Sequence, residues 1–153
     1  MQNNWPIVKA NEHDIPELYA LQLIAFESEA EMIGSRDVPA LQESPDAHRA
    51  DFSNWVTLKL VHPSRGIIGA IRYKKSGDLI EVGRLMTHPD FRRQGIARRL
   101  LGEVDLACPE ETRELYTCTK SWVNILLYEK TGYKAVQEVT EESGLSFVYM
   151  RKS

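Results

Sequence analysis

The order of hydrophobic patterns along this chain predicts one α/β domain, built on a mixed, mostly antiparallel sheet of about seven strands flanked by about four helices. Three observations carry that prediction. Strand-like and helix-like segments follow one another in the order β-α-α-β-β-β-α-β-α-β-β. The three central strands are joined by short polar turns, so they read as an antiparallel meander. The 153 residues are 42% hydrophobic and contain no repeat, linker or low-complexity tract, which suits a single domain over 1–153.

The elements follow in turn. Pro6 to Ala10 reads as a short first strand. Asp14-Ile15-Pro16-Glu17 is a helix start, with Asp14 as the cap, a proline in the first turn and Glu17 three residues on. Leu18, Leu21, Leu23, Ile24, Ala25 and Phe26 then keep helical spacing. Gly34, Pro39 and Pro45 loosen the pattern, and Ser44-Pro45-Asp46 opens a second helix. Trp55–Val61, Ile67–Lys74 and Leu79–Thr87 are the meander, turning at His62–Gly66 and Lys75–Asp78. Ile96, Leu100, Leu101 and Val104 give the next helix its apolar face. Arg113–Thr119 is a fifth strand, and Ser121–Lys130 a helix closed by Gly132. Tyr133–Val139 and Leu145–Met150 form the closing hairpin, whose Leu145–Met150 strand is an edge available for pairing between subunits.

Composition excludes several classes. No apolar run approaches the ~18 residues of a membrane span. Met1 to Pro6 has neither the basic start nor the apolar stretch of a signal peptide, so a cytoplasmic location is expected. Cys108 and Cys118 are the only cysteines, too few for a disulfide framework or a four-thiolate zinc site. They read as buried or partly buried thiols, and no metal is expected. A net charge of −3 argues against a nucleic-acid partner, which needs a broad basic face.

Against that acidic background, arginine concentrates at one point. Arg92, Arg93, Arg98 and Arg99 surround Gln94-Gly95-Ile96-Ala97, where a strand and short loop open into a helix. Helix starts leave orphan N–H donors, the helix dipole favours an anion there, and Gly95 and Ala97 keep the backbone uncovered. This is a phosphate site by its chemistry.

The segment Arg92-Arg93-Gln94-Gly95-Ile96-Ala97 resembles the Arg/Gln-x-x-Gly-x-Gly/Ala loop of the GNAT (Gcn5-related N-acetyltransferase) superfamily. Ser121 to Tyr133 resembles the family's later motif: Asn124, Tyr128 four residues on, then Gly132 followed by Tyr133. The resemblance implies a GNAT-like sheet with one splayed strand pair and acetyl-CoA as cosubstrate. It also implies that the loop from Arg92 through Gln94, Gly95, Ile96 and Ala97 to Arg98 holds the CoA pyrophosphate. The strand residues Leu85, Met86 and Thr87 would pair with the pantetheine arm, and Asn124 would contact it. Tyr128 would stand near the sulfur as hydrogen-bond donor to the departing thiolate.

Deprotonating an alkylamine of pKa ~10.4 at pH 7 costs about 4.6 kcal/mol, so a base is useful. Glu81 lies fourteen residues before Gly95, the spacing of a glutamate base in part of the family. Strand alternation puts Glu81 on the face of Gly83, Leu85 and Thr87. The alternative is a cross-strand ion pair with Arg72 or Arg84. His88 reads as a turn residue.

The expected activity is acetyl transfer to a primary amine of a small molecule or protein by direct attack in a ternary complex. A CoA-binding sensor without catalysis is the alternative. Glu27, Glu29, Glu31, Asp37, Glu43, Asp46 and Asp51 outnumber Arg36 and Arg49 between the first helices, an acidic rim suited to a cationic amine. Both monomer and homodimer remain open.

Overall fold

The computed structural model describes residues 4–153; Met1, Gln2 and Asn3, part of the stretch read above as lacking a leader, lie outside them. In chain order the elements are β1 (Ile7–Lys9), α1 (Ile15–Ile33), α2 (Pro39–Gln42), α3 (Pro45–Phe52), β2 (Val56–His62), β3 (Gly66–Ser76), β4 (Leu79–Thr87), α4 (Ile96–Ala107), β5 (Thr112–Cys118), α5 (Trp122–Lys130), β6 (Lys134–Thr140) and β7 (Ser146–Lys152). All the expected elements are present, and the single turn of α2 is added to them.

The start of α1 differs from its expected form. Asp14 makes no capping bond to that helix. Asn11 caps a short 3-10 turn instead: its Oδ1 accepts from the His13 N–H at 2.9 Å, and its own N–H donates to Asp14 Oδ2 at 2.9 Å. Asp14 Oδ1 also accepts from Lys59 Nζ on β2 at 2.9 Å. Glu17, in turn, accepts from the Ile67 N–H at 2.7 Å. Both carboxylates fasten the helix start to the sheet. Ser44 does cap α3, accepting from the Ala47 N–H at 3.0 Å.

The sheet order is β1-β2-β3-β4-β5-β7-β6. Its strands are antiparallel except β4 and β5, which run parallel and pair only from Leu79↔Thr112 to Glu81↔Glu114. Beyond Glu81 the two strands separate, and this is the splay. The order also corrects the expected edge. β7 lies between β5 and β6, so the free edge of the hairpin is β6, all seven of whose residues are exposed.

A bulge lies beside the splay. Ala70 pairs with Met86 and Arg72 with Gly83, so Ile71 alone faces both Arg84 and Leu85. Arg84 takes φ 45, in the left-handed region that side chains seldom occupy. The extra residue shifts the alternation. Ile80, Val82 and Leu85 pack with the α4 core, whereas Met86 packs with Leu18 and Leu21 beneath α1. Glu81 therefore does not share a face with Leu85 and Thr87 as simple alternation predicts.

The main core lies between the sheet and α4 with α5, where Leu100, Leu101 and Val104 are fully enclosed. Each such side chain stabilises the fold by about 1.5–3 kcal/mol. On the opposite face α1 spans both halves of the split sheet. Leu18 and Leu21 pack over β3 and β4, while Ala30 and Ile33 pack with Cys118 and Phe147 of β5 and β7. Both cysteines are buried free thiols. Among the described residues, no helix is long and apolar enough to cross a membrane.

Candidate active site

The arginine loop forms as its residues dictate. Arg93 and Gly95 both adopt positive φ, at 63° and 77°, and such turns collect backbone N–H groups into an anion-binding concavity. Gly95 is the N-cap of α4, and among the described residues nothing beyond its chain neighbours lies within 4 Å of a Cβ placed there. Its requirement within the fold is thus conformational rather than steric. Gly69 on β3 supplies the close approach, since a Cβ there would come within 2.7 Å of Ile96 Cγ2. The first turn of α4 sits directly on that strand. No acidic residue occupies this turn. Arg98 and Arg99 stand instead at the end of the helix that disfavours cations, an arrangement a bound anion would offset.

A cavity of about 690 Å³ runs from this loop along the splay. Arg92, Arg93, Gly95, Ile96, Ala97 and Arg98 line one end, and Leu85, Thr87 and Asn124 line its course. Of the residues expected to hold a cofactor, Gln94 and Met86 are not among its walls. The Met86 side chain is 4% exposed in the core under α1, a consequence of the bulge, so only its backbone remains for such a role. His88 is the turn residue expected, its Nδ1 accepting from the Asp90 N–H at 3.1 Å.

A second cavity, of about 390 Å³, opens on the other side of the gap. Tyr128, Glu81, Trp55, Arg72 and Arg84 line it. The two cavities share Phe26, Glu29, Leu85 and Asn124 as a common wall. Glu29 occupies the stretch of α1 between its two core clusters, directly over the split. Its Oε1 accepts from Ser121 Oγ at 2.7 Å and from Asn124 Nδ2 at 3.2 Å.

Burial pushes the Tyr128 phenol well above its ordinary pKa, and the Glu29 carboxylate and Tyr133 add to the shift. Tyr128 is accordingly a protonated hydrogen-bond donor across the physiological range. Glu81 lines the second cavity only. It is half-exposed, and its ion pair is with Lys74 at 3.6 Å rather than with Arg72 or Arg84.

The expected acidic rim does not gather at the cavities. Of its seven residues only Glu29 lines either large cavity. Glu27 pairs with Arg36, Glu43 lies against Arg84, and Asp51 against Arg72. Glu29 and the two arginines were the functional candidates hardest to see. The signal for Glu29 was the helical spacing of Ala25, Phe26, Glu29 and Met32, which all line the first cavity.

Comparison with known proteins agrees with this geometry. A family model described as an acetyltransferase (GNAT) domain matches residues 22–153. The UPF0157 protein YqkA of Bacillus subtilis (strain 168) is 32% identical over 130 residues, covering 84% of this chain and 37% of that protein. The chain thus spans little more than a third of the length of the curated relative it matches. The PaiA N-acetyltransferase of Thermoplasma acidophilum, solved in complex with coenzyme A, superposes with a TM-score of 0.78 at 18% identity, over 99% of both chains. The ribosomal-protein-S18-alanine N-acetyltransferase of Escherichia coli superposes with a TM-score of 0.75 at 17% identity, over 96% of this chain and 92% of its own. With a family model matching most of its length, the chain belongs to the GNAT acetyltransferase family.

Proposed function

We propose that this protein is an acetyl-CoA-dependent N-acetyltransferase that acetylates a primary amine by direct attack within a ternary complex. The observation that carries the proposal is the shared wall: an anion-binding loop leads along the splay to a point where a second, separate cavity begins. CoA would lie in the larger cavity with its pyrophosphate on the Arg92–Arg98 loop. Leu85 and Thr87 would meet the pantetheine arm, and the thioester would reach the Leu85–Asn124 wall. A group of donors on a phosphate contributes roughly 1.5–3 kcal/mol each, enough to anchor a flexible cofactor.

In the reaction, the neutral amine nitrogen attacks the thioester carbonyl carbon, the C–S bond breaks, and the nitrogen loses one proton. Tyr128 donates a hydrogen bond to the departing thiolate. Its raised pKa makes complete proton transfer to a thiol of pKa ~8.5 unfavourable, so its role is charge stabilisation. Glu81 accepts the amine proton, directly or through water. Glu29 is a second reading for the base, favoured by its place on the wall common to both cavities.

Thiol release from acetyl-CoA in the presence of a panel of amines tests the function. Acceptor-dependent release is expected. CoA binding with no acceptor among the amines would favour the sensor, and absence of CoA binding would exclude both.

A further inference from the structure

Two arginines form one wall of the smaller cavity, and the protein answers neither fully. Arg72 comes from β3 and Arg84 from the bulge in β4, beside the Arg72↔Gly83 pair. Their side chains are only 13% and 16% exposed. Each has a carboxylate nearby that is already engaged. Asp51 accepts from Asn54 Nδ2 at 2.9 Å and from Trp55 Nε1 at 3.0 Å, so Arg72 Nη1 donates to it only a long hydrogen bond of 3.4 Å. Glu43 Oε1 accepts from Gln22 Nε2 at 2.9 Å and stands 3.8 Å from Arg84 Nη2, beyond hydrogen-bond range.

Among the described residues, the buried Nε atoms of both arginines make no hydrogen bond. Two guanidinium groups enclosed side by side repel each other, and the conflict is visible in Arg72. Burial, and then Arg84, lower its pKa to about 10. The Arg72 guanidinium carbon lies over the Trp55 ring, 4.0 Å from its centroid, which restrains the side chain. Lys74 is the remaining cation of the cavity, and Glu81 already pairs with it.

We propose that Arg72 and Arg84 clamp a carboxylate of the acceptor, so that the amine acetylated by this protein belongs to a small, amino-acid-like molecule carrying both groups. This rests on the acetyltransferase reading above. Planar guanidinium groups match a carboxylate in bidentate geometry, and a partly enclosed pair binds it far more strongly than a surface lysine does. The position suits the reaction. Arg84 adjoins Leu85, a residue of the wall where the thioester would arrive. In an α-amino acid the amine and carboxylate share one carbon, so a carboxylate held at Arg84 keeps the amine near that wall. The left-handed backbone at Arg84 turns the strand at this point, and such strain collects where a side chain must be aimed.

The test measures thiol release from acetyl-CoA with the common amino acids, each beside its decarboxylated amine, together with O-phosphoethanolamine and spermidine. CoA is titrated calorimetrically into the same samples. The expected result is a preference of at least about tenfold in kcat/KM for a carboxylated acceptor over its decarboxylated partner. In R84Q that preference is expected to vanish through KM, with CoA affinity unchanged. R84K, which keeps the charge without the planar fork, is expected to retain part of it. Decarboxylated amines, spermidine or the phosphorylated amine serving as well or better would overturn the clamp and leave the acetyltransferase reading standing. CoA binding without turnover of any amino acid would overturn the clamp as well. Absence of CoA binding would overturn the acetyltransferase reading and the clamp together.

Discussion

The Glu29 carboxylate accepts a 2.7 Å hydrogen bond from the Ser121 hydroxyl, tying the first long helix to the start of the last one at the wall between the two cavities. Ser121 is fully buried, so removing its hydroxyl leaves part of a carboxylate without a donor. S121A is expected to destabilise the protein by about 1.5 kcal/mol, a fall in Tm of about 3–6 °C, read by thermal unfolding. A Tm unchanged within a degree would show that the bond does not hold the helices together.

Tyr128 is expected to act without titrating. Its phenol is shifted upward, so the protonated form persists well above the ordinary tyrosine range. Y128F is expected to lower kcat by about 10- to 100-fold, with CoA affinity nearly intact. The alkaline limb of the wild-type pH–rate profile should not move in the variant. Unchanged kcat would remove Tyr128 from the chemistry.

The base is separable by pH. If Glu81 takes the amine proton, E81Q loses rate most steeply at neutral pH and recovers toward the pKa of the amine, where free base is abundant. E29Q would then lower the rate evenly across pH, because it disturbs Ser121 and Asn124 rather than a proton transfer. The opposite pattern assigns the base to Glu29.

Gly95 tests the loop's backbone. At φ 77 an alanine is strained by about 1–2 kcal/mol, with no clash among the described residues. G95A is therefore expected to fold, with modestly lower Tm, while its Kd for CoA rises about tenfold or more. CoA binding should also weaken with ionic strength, since Arg92, Arg93 and Arg98 are exposed.

The loop and the late motif were legible because each depends on residues close in sequence. A helix start needs Gly95 and its neighbours, and one turn of α5 puts Asn124 and Tyr128 on a common face. The alternating meander was legible for the same local reason, whereas the sheet order that sets β7 between β5 and β6 was not, because it depends on which strands pair across the fold. The bulge was not. An extra residue in β4 shows only against the register of β3, and nothing within Leu79–Thr87 marks it. That one residue moved Met86 from the face of Ile80 and Val82 to the core beneath α1, and separated Glu81 from the face of Leu85. Asp14 deceived in a similar way, because Asn11 three residues earlier competes for the same turn and Lys59 for the same carboxylate. The acidic residues near the first helices suggested a cationic acceptor. Two of them, Asp51 and Glu43, lie beside Arg72 and Arg84 from strands far along the chain, a proximity that only the fold reveals.

The central claim is that the Arg92–Arg98 loop anchors acetyl-CoA at this split sheet. Calorimetric titration of acetyl-CoA into the protein tests it most directly. One site per chain is predicted, with a Kd in the range of about 1 μM to 1 mM and weaker binding in R93A and G95A. Absence of binding, or equal binding by the wild type and both loop variants, would contradict it.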